Sequence, residues 1–179
     1  MSIQVLKEVL LDIKTKEGKL PPKLCLQLDN TVKQNKGRFL FGYLAYLLHM
    51  GIFQEIEVAF LPVGHTHEDI DQFFSRISVY LRVHNAPCRE ALGQCIQRAY
   101  TKSGKVPIVK HWDSIANISG LFDKVFRKIE YVSLYYHFRF MRAIGKGVVL
   151  QARTWPGSRS DSAVDFWRGC TKNTLFNLV

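Results

Sequence analysis

No window of the 179-residue chain comes near the roughly 18 uninterrupted apolar residues of a membrane-spanning helix. The N-terminal stretch "MSIQVLKEVLLDIKTKEGK" has acids inside it and no small-residue cleavage site, so it does not read as a signal peptide. Four cysteines, Cys25, Cys88, Cys95 and Cys170, form no C-x-x-C pair, which argues for reduced thiols and a nuclear or cytoplasmic setting. Internal repeats and low-complexity tracts are absent as well. Acidic residues are scarce in one region only. Residues 1–100 carry 12 Lys/Arg against 10 Asp/Glu, whereas residues 101–179 carry 13 against 5, so most of the formal net charge of +10 is C-terminal.

That surplus suits a polyanionic partner, because each phosphate neutralised by Lys or Arg releases condensed counterions. Nucleic acid, DNA first, is the expected partner, and no membrane is expected. With 47% apolar content the chain can also bury a real core.

The pattern along the chain predicts an α/β fold. Residues 3–13 place Ile3, Leu6, Val9, Leu10 and Ile13 on one helical stripe. "PPK" breaks that helix, and "LCLQLDN" follows as a buried strand ending in Asp29 and Asn30. "GRFLFGYLAYLLHMG" is an apolar helix stopped by Gly51, "EIEVAFLPV" a second strand, and a third helix runs to about His84. Helix, strand, helix, strand, helix with short connections implies a parallel sheet covered by helices. Residues 88–102 read as another helix and "LFDKVFRK" as a short one. From Glu130, "YVSLYYHFRFMRAIGKGVVLQARTW" reads as a hairpin broken at Gly145 and Gly147. Its alternation sets Tyr136, Phe138 and Phe140 on one face and His137, Arg139 and Met141 on the other. The expected domains are residues 1–129 and a basic C-terminal extension, 130–179.

The densest chemistry is "FLPVGHTHEDIDQFF", residues 60–74. As structure, Thr66 and Asp69 are spaced as a capping box. Setting Ile70 at zero on a helical wheel, Phe73, Phe74, Ile77 and Leu81 define the buried stripe, and Asp69 falls about 160° from Asp71. One metal ion does not take both acids. As chemistry, H-x-H-x-D after a strand resembles the metallo-β-lactamase superfamily, which implies a zinc hydrolase, but Ile70 stands where that family has its last histidine. "GHTH" resembles the last motif of calcineurin-like phosphoesterases, whose upstream D-x-H and G-N-H-[DE] motifs are missing. A third arrangement pairs Asp29 with Asp71 at the carboxyl edge of the sheet, where open α/β sheets place their sites. Carboxylates there suit Mg2+ or Mn2+ and phosphodiester chemistry.

Residues 24–78 carry a longer pattern: an L-Q-x-D-N strand end, an N-K helix start and a G-H-[ST] stretch leading to D-x-x-F. This resembles an uncharacterised domain family of transposon-derived eukaryotic proteins, similar to RNase H-like transposases. The resemblance implies that Asp29 and Asp71 are two catalytic metal ligands of an acidic triad, with His65 and Asn30 accessory. Asn30, Asn35 and Lys36 match the pattern too, and also read as loop and helix-start polar residues. The triad's first acid would precede a helix like residues 2–18, where only Met1 stands. The expectation is a partial RNase H-like domain, truncated or domesticated. It would bind nucleic acid with an incomplete two-metal site, a degenerate Mg2+-dependent transposase or nuclease. Its strands would lack sheet neighbours unless a protein partner or self-association supplied them. A zinc hydrolase or a non-catalytic protein-interaction remnant is the alternative.

Overall fold

The computed structural model describes residues 3–30, 35–61, 69–101, 104, 106–114, 132–143, 147–154 and 162–165, with backbone only at 69–70 and 162–165. They form two compact units, residues 1–63 with 116–179, and residues 64–115.

The first unit contains helices α1 (Ile3–Glu17) and α2 (Arg38–His49) and strands β1 (Lys23–Leu28), β2 (Glu55–Phe60), β3 (His137–Ala143), β4 (Gly147–Arg153) and β5 (Ser162–Asp165). They make one mixed sheet in the order β1-β2-β3-β4-β5. β1 and β2 run parallel, so they need a crossover, which α2 provides. Each later pair is antiparallel. The expected α/β fold is what forms. The C-terminal hairpin is not an appendage beyond residue 129: β3 pairs along β2 from Glu55 to Ala59 and gives that strand its second neighbour. The two parallel strands therefore do not stand alone.

Strand alternation sorts the sheet into two faces. One carries Ile56, Val58, Phe60, Phe138, Phe140, Val148, Leu150 and Ala152, all buried in one cluster with Leu40, Phe41, Leu44 and Leu48 of α2. Phe41 sits at the centre, with ring centroids 4.8 Å from Phe138 and 5.4 Å from Phe140, both edge-on. α1 joins the same face through Leu6 and Leu10. Its buried stripe is narrower than expected, since Val9 and Ile13 are exposed. α2 ends as the sequence implies. Gly51 takes φ +74°, its N–H donates to the Leu48 carbonyl, and the Ile52 N–H donates to Leu47, the paired bonds of a Schellman stop.

The second unit contains α3 (Asp69–Leu81) and α4 (Arg89–Arg98). Ile77, Cys95 and Tyr100 are buried, and Phe73 stacks on Tyr100 at 4.7 Å. Phe74, expected in the buried stripe, is 59% exposed, with its ring 5.5 Å from that of Phe73. A stripe only as wide as Phe73 and Ile77 suffices for a two-helix pairing. Gly93 permits close approach here, because a Cβ would lie 3.3 Å from both Val109 and His111. The proposed helix at 121–128 lies outside the described residues.

Candidate functional site

The parallel pair directs its carboxyl ends to one edge, and Asp29 follows β1 there, exposed as a site residue must be. The polar residues beside it are not the loop residues that sequence favours. Asn35, 7% exposed, donates from Nδ2 to the Asp29 carbonyl at 3.0 Å. Lys36 is 3% exposed, and its Nζ donates to the Tyr135 carbonyl at 2.7 Å. The same ammonium lies 4.9 Å from the Phe60 ring centroid and 4.8 Å from that of Tyr136. It has no carboxylate partner among the described residues. Burial pushes its pKa down to about 8. Asn30 is half-buried, and its Oδ1 has no hydrogen-bond partner among the described residues.

Backbone bonds fix the rest of this edge. Leu61 N–H donates to Leu28, Phe60 N–H to Tyr136, and Tyr136 N–H to Arg153. Lys36 thereby ties the entry of α2 to the entry of β3, the segment that precedes His137.

The sheet face opposite α2 carries the alternate residues: Lys23, Cys25 and Gln27 of β1, Glu55, Glu57 and Ala59 of β2, His137, Arg139 and Met141 of β3, and Val149, Gln151 and Arg153 of β4. No helix of the first unit's described residues covers it. Toward one end the charges are matched. Lys23 Nζ lies 2.8 Å from Glu55 and 3.0 Å from Glu57, and Arg139 donates to Glu55 and lies 3.8 Å from Glu57. The Arg139 guanidinium, then Lys23, holds the Glu55 carboxyl down at about 2. The same pairing raises Arg139 and Lys23.

Toward the carboxyl edge the match ends. The row Gln27, Ala59, His137, Arg153 contains no acid. His137 Nδ1 and Arg153 Nε are both buried without a hydrogen-bond partner among the described residues. Sequence alternation puts His137 on a partly basic face, but that Arg153 stands directly opposite it depends on hairpin register.

The residues proposed from sequence are distributed as follows. Asp29 and Asn30 lie at the edge of the first unit, and Asp71 lies exposed in the first turn of α3 in the second. His65, with Thr66, His67 and Glu68, lies outside the described residues, so the zinc arrangement does too. Among the described residues no three His, Cys, Asp or Glu side chains are grouped to hold a metal ion. At the carboxyl edge the first unit's described residues present one carboxylate, Asp29. A pair of Mg2+ or Mn2+ ions takes several anionic oxygens, of which the described residues of the first unit place the Asp29 carboxylate at this edge.

Fold and edge together define a class: an α/β domain whose mixed sheet is helix-covered on one face and polar on the other. Within that class, a family model for a domain of unknown function, DUF7869, matches residues 1–158, and the chain belongs to that family. No curated protein and no solved structure matches it.

Proposed function

We propose that this chain is a nucleic-acid-binding domain that receives a sugar–phosphate backbone, DNA in the first instance, on the sheet face opposite α2. The observation that carries the reading is that face itself. Lys23, His137, Arg139 and Arg153 lie on it from three strands beside Glu55 and Glu57, ring or guanidinium nitrogens of His137, Arg139 and Arg153 have no hydrogen-bond partner among the described residues, and the chain around it has a net charge of +10. Donors held on strands meet phosphate oxygens without first losing side-chain and loop freedom, which favours binding over a mobile basic tail.

Descent from an RNase H-like transposase belongs to the same reading. Such a derivative would keep a surface for DNA without a complete ion pair, and no metal-dependent step is assigned to it.

The test is fluorescence anisotropy with labelled single- and double-stranded 20-mers at several salt concentrations. The logarithm of the binding constant should fall linearly with the logarithm of salt, with a slope of about −0.9 per phosphate contacted on duplex DNA. Absent binding at low salt, or binding indifferent to salt, overturns the reading.

A further inference from the structure

We propose that His137 and Arg153, at the carboxyl-edge end of the sheet face opposite α2, form a phosphate oxyanion site beside Ala59. The proposal deepens the nucleic-acid reading and rests on it for the ligand's source, since the same chemistry serves a backbone phosphodiester or a free phosphate.

The charge pattern of this face is laid down by β2. Its open-face residues are Glu55, Glu57 and Ala59. The first two are the acids that satisfy the bases of the neighbouring strands: Glu55 holds Lys23 and Arg139, and Glu57 lies against the same pair. One step further along the strand the acid is replaced by a methyl group. Register nonetheless places His137 directly against Ala59, and Arg153 directly against His137. Directly opposed side chains on one face lie roughly 5 Å apart, where two cationic groups repel each other. Among the described residues that row sets a guanidinium against an imidazole with no acid, an arrangement that suits an anion.

The hydrogen-bond inventory agrees. His137 Nδ1 and Arg153 Nε are buried and without hydrogen-bond partners among the described residues, as is Arg139 Nε, which however has the Glu57 carboxylate 3.8 Å away, and an unmet buried polar atom costs about 1–3 kcal/mol. An oxyanion accepting from both would remove that cost, and charge-assisted bonds of this kind are the stronger sort. Ala59 leaves room for it beside the imidazole. The neighbouring charges also favour an incoming anion. Burial first, and then Arg153, Lys23 and Arg139, lower the His137 pKa, while Glu57 alone among the facing groups raises it. An anion bound to the pair reverses the balance and raises it.

The experiment follows the His137 ring proton by NMR through a pH titration of the full chain, with and without inorganic phosphate, beside anisotropy with a single-stranded DNA 12-mer. Phosphate should move the His137 midpoint upward, and Arg153→Gln should abolish that response and weaken oligonucleotide binding about tenfold. Ala59→Glu supplies an internal acid, so it should raise the His137 midpoint without phosphate and remove the phosphate response. His137→Asn is the second variant should Arg153→Gln unfold, and it should lose oligonucleotide affinity likewise. A His137 midpoint indifferent to phosphate, or wild-type oligonucleotide affinity in Arg153→Gln, overturns the site, and salt-dependent DNA binding by the wild type would then leave the broader reading standing. A phosphate response without oligonucleotide binding supports the site as one for free phosphate and overturns the nucleic-acid reading.

Discussion

Replacing Lys36 by methionine separates the energetic cost of its buried charge from the packing of its side chain. The ammonium is 3% exposed, in contact with a carbonyl and two ring faces, and without an acid among the described residues. Its pKa falls from 10.5 to about 8 because burial penalises the charged form. That displacement is equivalent to about 3 kcal/mol. Below pH 8 the lysine is charged in both the folded and the unfolded chain, so the cost is carried in full. Between about 8 and 10.5 the folded chain sheds the proton first, the unfolded chain binds more protons, and stability rises with pH.

Methionine has a similar length and no charge. At pH 7 it forfeits the Tyr135 hydrogen bond and the ring contacts but also the desolvation penalty, so its stability should fall within about 1.5 kcal/mol of wild type. The pH dependence is the sharper quantity. From pH 7 to pH 10 the wild type should gain about 2–3 kcal/mol relative to Lys36→Met. Tyr43, whose pKa burial pushes up to about 12, works in the opposite direction above pH 10, but it is common to both proteins and cancels in the difference. Urea unfolding followed by circular dichroism at the two pH values measures it. A wild-type-minus-variant difference that is the same at pH 7 and pH 10 would refute the burial argument.

Phe41→Ala removes the ring at the centre of the aromatic cluster and should cost about 3–5 kcal/mol, read as a lowered thermal midpoint. Asn35→Ala strips the Asp29 carbonyl of its donor and should cost about 1–2 kcal/mol, with faster amide exchange around residues 28–30. Glu55→Gln should cost only about 1 kcal/mol at pH 7, because the ion pairs touch solvent. Since pairing lowers the Glu55 pKa to about 2, its contribution is present above the ordinary value of 4.5 and is lost as pH falls toward 2. The variant's acid unfolding curve should therefore be flatter across that window.

Elements carried by local periodicity were legible in the sequence. α1, β1, α2, β2 and the hairpin all sit where the patterns of apolar residues, Pro22 and Gly51 put them. What periodicity does not contain is partnership. The hairpin's residence on β2 rather than beyond the domain is a pairing of residues some 80 positions apart, as Arg139 and Glu57 are. Lys36 reads as a solvated helix-start residue because lysine usually is one. Its burial depends on Phe60 and Tyr136 arriving from two other strands. β5 is four residues long, in a stretch whose Pro156 and Gly157 read as loop.

Charge on a sheet is set by register rather than by composition. β2 reads E-I-E-V-A-F, and nothing local distinguishes its third open-face position from the first two. Paired with β3 as observed, Glu55 faces Met141, Glu57 faces Arg139 and Ala59 faces His137. A slip of two residues would keep every side chain on its own face and preserve the core. It would nevertheless set Glu57 against His137 and fill the row with an acid. Parity of the faces thus accepts more than one register, and the slipped one would set Glu55 directly against Arg139, so the ion pairs alone do not select the observed pairing. The observed register leaves His137 and Arg153 with no acid opposite them among the described residues. The matched end of the face and its unmatched end are one consequence of a single strand pairing: Ala59 stands against His137 where Glu55 and Glu57, further back on the same strand, meet Lys23 and Arg139.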